Sequence, residues 1–355
     1  MERYQRQTIL KGFGPEGQQK LKAAKVLVIG AGGLGIPVLS YLNAMGVGTL
    51  GIVDNDIVSN SNLHRQVLYT EQMVGIPKVT AARNQLLAQN SNTQIEVYQC
   101  YLSVGNALEL IESYDVVVDA SDNFPTRYLI NDACVILDKP FIYGALHGFE
   151  GQVSVFNYNG GPTYRCLYPN MPDAGEVPNC NEHGVLGILP GIVGNLQALE
   201  TIKVIADIGE VLSGVLLLFD ALSQRTQRIK FRPVPKNRQI RKLALDYDFD
   251  CTLEMKSVEA IGIERLLAEG AIELLDVRTN EEYATHHLAG AIHIPLNELE
   301  ERGTELRFDK PIYVTCQSGI RSQKAILTLQ KLFPGKEFMN VKGGMNHIDT
   351  YANTY

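Results

Sequence analysis

The chain has 355 residues, of which 45% are hydrophobic, and its formal net charge is −7. This length predicts two domains, and the acidic balance argues against a nucleic-acid-binding protein, because binding phosphates requires a basic surface. The first residues lack the apolar core of a signal peptide, and no later apolar run is long and uninterrupted enough to span a bilayer, so we expect a cytoplasmic protein without a membrane partner.

Strand-like and helix-like segments alternate from residue 26 onward. The predicted segments are strands at residues 26–29, 49–54, 94–98 and 116–119, and helices at residues 34–45 and 78–90. The alternation predicts a doubly wound, mostly parallel, Rossmann-like α/β sheet. Beyond it we expect a long irregular stretch at residues 157–184, a helix at 187–209, and an antiparallel hairpin from strands at 215–222 and 226–231.

A glycine-rich turn follows the first predicted strand and contains Gly30, Gly32, Gly33 and Gly35. Because the turn also opens a helix, its backbone amides and the helix dipole can receive a phosphate. Asp54 ends the next strand, where a carboxylate would meet a ribose hydroxyl. By itself this pattern predicts only an adenine-nucleotide site.

Three charged residues indicate which nucleotide is bound. Arg65 follows the second strand, Lys78 begins the next helix and Asp122 follows the fourth strand. All three belong to the carboxyl ends of parallel strands, where open α/β sheets bind ligands. Two cations and a carboxylate fit a magnesium-bound triphosphate better than a bridging pyrophosphate.

With these residues, the first part of the chain resembles the ubiquitin-activating-enzyme-like adenylyltransferases of the MoeB/ThiF type, which activate sulfur carriers for molybdopterin or thiamin synthesis. The matching segments are residues 3–7, 30–35, 54–56, 61–66, 75–78, 121–123 and 187–206. The resemblance implies ATP-dependent adenylation of the C-terminal glycine of a small ubiquitin-like protein that ends in Gly-Gly, with release of pyrophosphate.

The same resemblance implies a role for each matching residue. Asp54 would hold the ribose, Asn62, Arg65 and Lys78 the phosphates, and Asp122 a magnesium ion, while Arg6 would reach into the partner's site of a homodimer. Cations placed around the phosphates would stabilise the charge that builds when a carboxylate attacks the α-phosphate.

The chain departs from this family at its usual structural zinc site. Relatives hold the zinc with two C-x-x-C pairs, whereas here the first pair reads Thr163-Tyr-Arg-Cys166 and residues 231–237 contain no cysteine. A single remaining thiol does not form a tetrahedral site. We therefore predict that zinc is absent and interpret Cys166 as a small core residue.

Cys180 lies in the long irregular stretch, beside His183. An exposed thiol there could attack the acyl adenylate or accept sulfur, and the resemblance implies a covalent link to the carrier in some relatives. A buried, unreactive thiol is an equally open interpretation.

A basic, proline-bearing stretch that begins at residue 232 separates a second, smaller α/β domain. We predict an adenylyltransferase domain at residues 1–235, a linker at 236–254 and the smaller domain at 255–355. In the smaller domain the pattern predicts helices at 257–269, after Thr279 and at 325–333, and strands at 272–276 and 312–315. Thr279 and Glu282 form a capping-box pattern.

Cys316 begins a loop between a predicted strand and a predicted helix. Backbone amides can surround its sulfur, the helix N-terminus adds positive potential and Arg321 adds a cation, so we predict a nucleophile of low pKa. The loop, together with residues 275–278 and 286–296, resembles the rhodanese sulfurtransferases. This resemblance implies that Cys316 carries a persulfide.

The two resemblances together predict one enzyme that adenylates a sulfur carrier of the molybdopterin-synthase or thiamin type and then transfers sulfur from Cys316, giving a thiocarboxylate. A cysteine desulfurase is an expected sulfur donor. An NAD-dependent oxidoreductase fused to a sulfurtransferase stays open as an alternative, but it leaves Arg65, Lys78 and Asp122 without a role. A non-catalytic carrier-binding scaffold is the other alternative.

Overall fold

The computed structural model describes residues 2–172, 184–245, 247 and 256–352. The chain divides into two compact units, Met1–Phe249 and Asp250–Tyr355. Each unit contains its own sheet and its own hydrophobic core.

The first unit is built on an eight-stranded sheet within the described residues. Its strands are β1 Lys25–Ile29, β2 Thr49–Val53, β3 Gln94–Tyr98, β4 Val116–Asp119, β5 Phe141–His147, β6 Glu150–Phe156, β7 Val215–Asp220 and β8 Arg225–Lys230. Their order is β3-β2-β1-β4-β5-β6-β7-β8, parallel as far as β5 and antiparallel beyond it. This arrangement confirms the doubly wound, mostly parallel sheet and the terminal hairpin that the sequence predicts.

Helices cover both faces of this sheet. They are α1 Gln5–Thr8, α2 Gly14–Ala23, α3 Gly35–Met45, α4 Lys78–Gln89, α5 Ala107–Glu112, α6 Phe124–Ile136, α7 Tyr164–Leu167 and α8 Ile188–Ala206. Because β1 and β4 are covered on both sides, their sequences are nearly continuous apolar runs rather than alternating ones. The loops after β1, β2 and β4 consequently meet at one edge of the sheet.

Helix α8 corrects one expectation from the sequence. Among the described residues it is the one helix long and apolar enough to cross a membrane by length and composition. Its residues Leu189, Val193 and Ala198 are buried in the core of the first unit. Its apolar character therefore reflects packing on the sheet, since α8 contacts α3, β5 and β6.

The second unit has a five-stranded, fully parallel sheet in its described part, in the order β11-β10-β12-β13-β9. The strands are β9 Ser257–Val258, β10 Glu273–Asp276, β11 Ile292–His293, β12 Ile312–Thr315 and β13 Phe338–Val341. The helices are α9 Ile263–Ala268, α10 Asn280–Thr285, α11 Leu299–Arg302, α12 Ile320–Leu332 and α13 Gly344–Ala352.

The helix predicted at residues 257–269 is wrong in its first half. Ser257 and Val258 form a strand that pairs with Asn340 and Val341 of β13. Gly262 then adopts a φ of 80°, a left-handed conformation that favours glycine, and the helix begins only after it. Pairing with a distant strand therefore outweighs the local helical pattern here.

Tyr247, inside the predicted linker at residues 236–254, is buried against the first unit. Its hydroxyl donates to the Asp132 carboxylate at 2.7 Å. Arg165 also binds this carboxylate, with its Nε 2.7 Å from Oδ1. One residue of the predicted linker is therefore fixed to the first unit by a buried polar contact.

Candidate active sites

A cavity of about 470 Å³ lies at the carboxyl ends of the parallel strands of the first unit. The glycine turn, the loops after β2 and β4, and residues 100–102 contribute to its wall. Its charged lining residues are Asp54, Asp56, Arg65, Lys78, Asp122 and Arg127. The charged residues predicted from the sequence, Arg6 excepted, thus meet around one cavity.

The glycine turn contains two positions that only glycine can occupy. Gly30 has a φ of 102°, and a Cβ on Gly35 would lie 1.9 Å from the carbonyl oxygen of Gly30. Only glycine fits these two positions, because a side chain would strain the first and collide at the second. Gly32 and Gly33 line the cavity shortly before α3 begins at Gly35, so the N-terminus of this helix, where a phosphate can bind, lies beside the same space.

Asp54 connects β2 to the glycine turn. Its Oδ2 accepts a hydrogen bond from the Ala31 amide at 2.7 Å, and its Oδ1 accepts one from the Asp56 amide at 2.8 Å. Burial raises the pKa of Asp54 above its ordinary value, and the positive charge of Lys78 partly opposes this effect. The carboxylate therefore shapes the cavity wall, while its predicted contact with a ribose stays a prediction.

Lys78 is buried at the start of α4 and pairs with Asp56. The side chain of Lys78 is 6% exposed, that of Asp56 is 59% exposed, and the Nζ–Oδ2 distance is 2.8 Å. The Lys78 amide also donates to the Asp56 carbonyl at 2.9 Å. Sequence reasoning identified the cation but not its partner, which lies 22 residues earlier.

Asn62 and Arg65 lie in the loop after β2 and both line the cavity. One guanidinium nitrogen of Arg65 donates to the Ser61 carbonyl at 3.2 Å and contacts His64 Nε2 at 2.6 Å. Asn62 accepts a hydrogen bond from the Gln66 side chain at 3.2 Å. These contacts orient a cation and an amide toward the space in front of the glycine turn.

Asp122 is exposed in the loop after β4, and a buried pair of charged residues supports this loop. Asp119 Oδ1 accepts from the Ser121 amide at 3.0 Å and from its hydroxyl at 2.6 Å, while Arg127 donates to the Ser121 carbonyl at 3.3 Å. Burial raises the pKa of Asp119, and Arg127 opposes the rise. Sequence reasoning missed the supporting role of Arg127, although the residue stands in the same motif.

In the part of the chain that the structure describes, no group of three or more His, Cys, Asp or Glu side chains could hold a metal ion. A magnesium ion at Asp122 would therefore take its other ligands from nucleotide phosphates and water, which is usual for this ion. The residues fit magnesium bound together with ATP, and its presence stays a prediction.

Of the residues singled out in the sequence, one lies away from the cavity and two lie outside the residues that the structure describes. Arg6 is exposed in α1 and is not among the described residues that line the cavity of its own chain. Cys180 and His183 lie outside the described residues, so the interpretations of this thiol stay open.

The interpretation of Cys166 as a core residue is wrong, because its side chain is partly exposed and accepts hydrogen bonds. Its Sγ receives the Thr163 amide at 3.4 Å, the Val234 amide at 3.2 Å and the Asn237 side chain at 3.7 Å. Burial alone would raise the pKa of Cys166, but these hydrogen bonds outweigh it and lower the pKa. Among the described residues, Cys166 is not part of any group of three or more metal-ligating side chains, and a single thiol does not form a tetrahedral zinc site.

The second candidate site is the loop at Cys316 in the other unit. The sulfur is buried and accepts a hydrogen bond from the Gly319 amide at 3.2 Å, and the Ser322 hydroxyl lies 3.6 Å from it. Gly319 has a φ of 86°, and a Cβ there would lie 2.9 Å from the Gly343 amide nitrogen. The Met345 amide donates to the Cys316 carbonyl at 2.8 Å, so the N-terminal end of α13 fixes the loop.

Arg321 forms an ion pair with Glu282, a contact that the sequence did not indicate. Its two terminal nitrogens bind the two carboxylate oxygens of Glu282 at 2.7 and 2.6 Å. Hydrogen bonding from Arg321, with help from the Thr279 amide, lowers the pKa of Glu282 to about 2. The predicted capping box of Thr279 and Glu282 is confirmed.

A buried ion pair between Arg278 and Asp276 supports the Cys316 loop. Arg278 binds Asp276 at 2.7 Å, with side chains 3% and 1% exposed. Arg278 also donates to Gln317 Oε1 at 3.1 Å and to the His286 carbonyl at 2.7 Å. The second residue of the loop is thereby connected to the end of β10.

Comparison with known proteins gives two family matches and several similar sequences. The ThiF family matches residues 4–240, and the rhodanese-like domain matches residues 262–350. The adenylyltransferase and sulfurtransferase MOCS3 of Anopheles gambiae is 43% identical over 360 residues, which cover 93% of this chain and 82% of that protein. The sulfur carrier protein adenylyltransferase of Thermus thermophilus is 50% identical over 263 residues, covering 71% of this chain and 97% of that protein.

Among solved structures, E. coli MccB with ATP has a TM-score of 0.56 and 23% identity, and the match covers 62% of this chain and 68% of that one. At this level of identity the likeness concerns the fold only.

Proposed function

We propose a two-step reaction for this chain, which belongs to the ThiF family, carries a rhodanese-like domain and is an adenylyltransferase and sulfurtransferase. In the first step, the C-terminal carboxylate of a ubiquitin-like sulfur carrier is adenylated by ATP. In the second step, sulfur from a Cys316 persulfide replaces AMP. The observation that carries this proposal is that one chain holds both a charged cavity at the sheet edge and a thiol loop.

The first step brings two anions together, because the carrier carboxylate attacks the α-phosphate of ATP. Arg65 and Lys78 line the cavity as cations and would stabilise the negative charge of the transition state. We assign Asp54 to the ribose and Asn62 to the phosphates. No side-chain nucleophile is required, since the carboxylate is itself the nucleophile.

Metal use is part of this proposal. We assign Asp122 to a magnesium ion that enters with ATP and neutralises phosphate charge. A structural zinc is not proposed, because Cys166 belongs to no group of three or more potential metal ligands in the described part of the chain.

In the second step, the terminal sulfur of the Cys316 persulfide attacks the acyl carbon and AMP leaves with the bonding electron pair. The product is an acyl disulfide between the carrier and Cys316. A small-molecule thiol then attacks Cys316 Sγ, so that the thiocarboxylate leaves and a mixed disulfide forms, and a second thiol reduces this disulfide and restores the Cys316 thiolate. The Gly319 amide donates to Cys316 Sγ and would stabilise the Cys316 thiolate whenever it is regenerated, whereas the Ser322 hydroxyl donates its proton to Asn340. Cys180 is our candidate for a covalent link to the carrier.

The partners are also proposals. We propose a carrier of the molybdopterin-synthase or thiamin type that ends in Gly-Gly, a cysteine desulfurase as sulfur donor, and a homodimer in which Arg6 completes the partner's site. The working compartment is the cytoplasm, with no nucleic-acid or membrane partner.

The test is mass spectrometry of each small Gly-Gly-ended protein from the same cell after incubation with the full chain, ATP and a sulfur source. We expect one carrier to gain sulfur in place of oxygen, and the same carrier to stimulate ATP–pyrophosphate exchange. Exchange without any carrier dependence, or nucleotide-dependent absorbance changes typical of an oxidoreductase, would refute the proposal.

A further inference from the structure

Both arginines that contact the surroundings of the Cys316 sulfur have a carboxylate partner. Arg278 is bound by Asp276, and Arg321 is bound by Glu282 through both of its terminal nitrogens. The pKa of Arg321 is raised first by the hydrogen bonds to Glu282 and further by the charges of Cys316 and Asp276. Each of these two cations is therefore paired with a carboxylate before any donor arrives.

We propose that Glu282 determines which sulfur donor the loop accepts. By neutralising Arg321, it disfavours a dianionic donor such as thiosulfate and leaves the loop suited to sulfur delivered as a cysteine persulfide on a protein. This inference rests on the proposed function, because it concerns how Cys316 acquires its sulfur.

Both candidate donors use the same thiolate but release different groups. With thiosulfate, the Cys316 thiolate attacks the outer sulfur, an S–S bond forms, and the old S–S bond breaks to release sulfite. With a protein persulfide, Cys316 attacks the terminal sulfur, and the donor cysteine leaves as a thiolate that takes up a proton. Neither reaction requires an added oxidant or reductant, but only the first brings a dianion to the loop.

The position of Glu282 allows its charge to be changed without losing its structural contact. Its Oε2 accepts the Thr279 amide at 3.0 Å, which completes the capping box of α10. A glutamine can make this same contact, because Gln is also a capping-box residue. The substitution Glu282→Gln therefore removes the charge that pairs Arg321 and keeps the cap.

The experiment measures sulfur uptake by Cys316 in the full chain, with thiosulfate as one donor and a persulfide-loaded cysteine desulfurase as the other. We expect Glu282→Gln to raise kcat/KM for thiosulfate by about tenfold, because the freed cation attracts the dianion, and to leave uptake from the desulfurase nearly unchanged. The gain should shrink as ionic strength rises. Glu281→Gln is the matched control, since this exposed carboxylate lies on the same helix turn.

A second variant keeps the inference testable if Glu282→Gln folds poorly by circular dichroism. Arg321→Gln leaves the Glu282 carboxylate unpaired at the loop, so it should lower thiosulfate use more than desulfurase use. Equal thiosulfate kinetics in wild type, Glu282→Gln and Glu281→Gln, or equal losses for both donors in Arg321→Gln, would overturn the inference. If wild-type Cys316 acquires sulfur from neither donor, the proposed function itself fails.

Discussion

Each candidate site contains a cation paired with a carboxylate, and the two ion pairs differ in how far the carboxylate is exposed to solvent compared with its cation. Lys78 is buried while its partner Asp56 is mostly exposed, so water can solvate the carboxylate if a phosphate takes its place beside the lysine. Arg321 and Glu282 are exposed to similar degrees, 25% and 31%, and share two hydrogen bonds. The first pair suits displacement by an anionic substrate, whereas the second resists it.

The strongest test of this comparison separates the two sites completely. We expect Cys316→Ala to abolish sulfur uptake and to leave carrier-dependent ATP–pyrophosphate exchange near the wild-type rate. Asp122→Asn should show the reverse, because its charge lines the cavity of the other unit. Both activities are measured on the same full-length preparations. A loss of exchange in Cys316→Ala would show that the two sites depend on each other.

The next test compares an ion pair in which both side chains are buried with one in which only the cation is buried. Arg278→Gln leaves Asp276 buried without its partner, so we expect the second unit to lose about 3–5 kcal/mol of unfolding free energy. Asp56→Asn should cost less, about 1–3 kcal/mol, because the asparagine oxygen can still accept from the buried Lys78 and the Asp54 carboxylate stays close to this cation. Urea unfolding of the two variants measures the difference. Equal losses would contradict the distinction between a supporting pair and a displaceable pair.

The third test concerns Lys78 itself. Lys78→Ala should lower kcat/KM for carrier adenylation on the order of 10²- to 10³-fold, since it removes a preplaced cation from a site of developing negative charge. Asp56→Asn should act in the opposite direction on ATP binding, because the phosphates then no longer compete with a carboxylate. Exchange at varied ATP concentration resolves both effects, and sulfur uptake by Cys316 serves as the internal control. A higher KM for ATP in Asp56→Asn would refute the competition.

The features that were predictable from the sequence are those set by neighbours along the chain. The glycine turn, the loop at Cys316 and the capping box each depend on a few consecutive residues, and the alternation of elements brings the charged residues to one sheet edge. The carboxylate partners of Lys78 and Arg321 were not predictable from the sequence. Lys78 lies 22 residues from its partner and Arg321 lies 39 residues from its own, and several other carboxylates could have paired with either cation.

The hydrogen-bond donors to Cys166 were likewise not predictable from the sequence. Its donors Val234 and Asn237 come from a segment far along the chain, so the sequence alone indicated a small core residue. Absence of the usual zinc ligands was visible in the sequence, but the amides that contact this thiol were not.

The smallest expected effect comes from comparing Cys166 with Cys100, a thiol whose pKa is raised by burial. Cys166→Ser should cost about 1 kcal/mol of unfolding free energy near neutral pH, the usual scale of a hydrogen-bonding loss. Because the folded pKa of Cys166 lies below its unfolded value, its stabilising effect is complete above the unfolded pKa, about 8.5, and is lost as the pH falls through the folded pKa. The difference between wild type and Cys166→Ser should therefore grow with rising pH, whereas that for Cys100→Ser should shrink. Urea unfolding measured from neutral pH to above about pH 8.5 tests both predicted pH dependences. Stoichiometric zinc in the purified wild type would contradict the assignment of Cys166 to hydrogen bonding, because a zinc-bound thiolate would not titrate in this pH range.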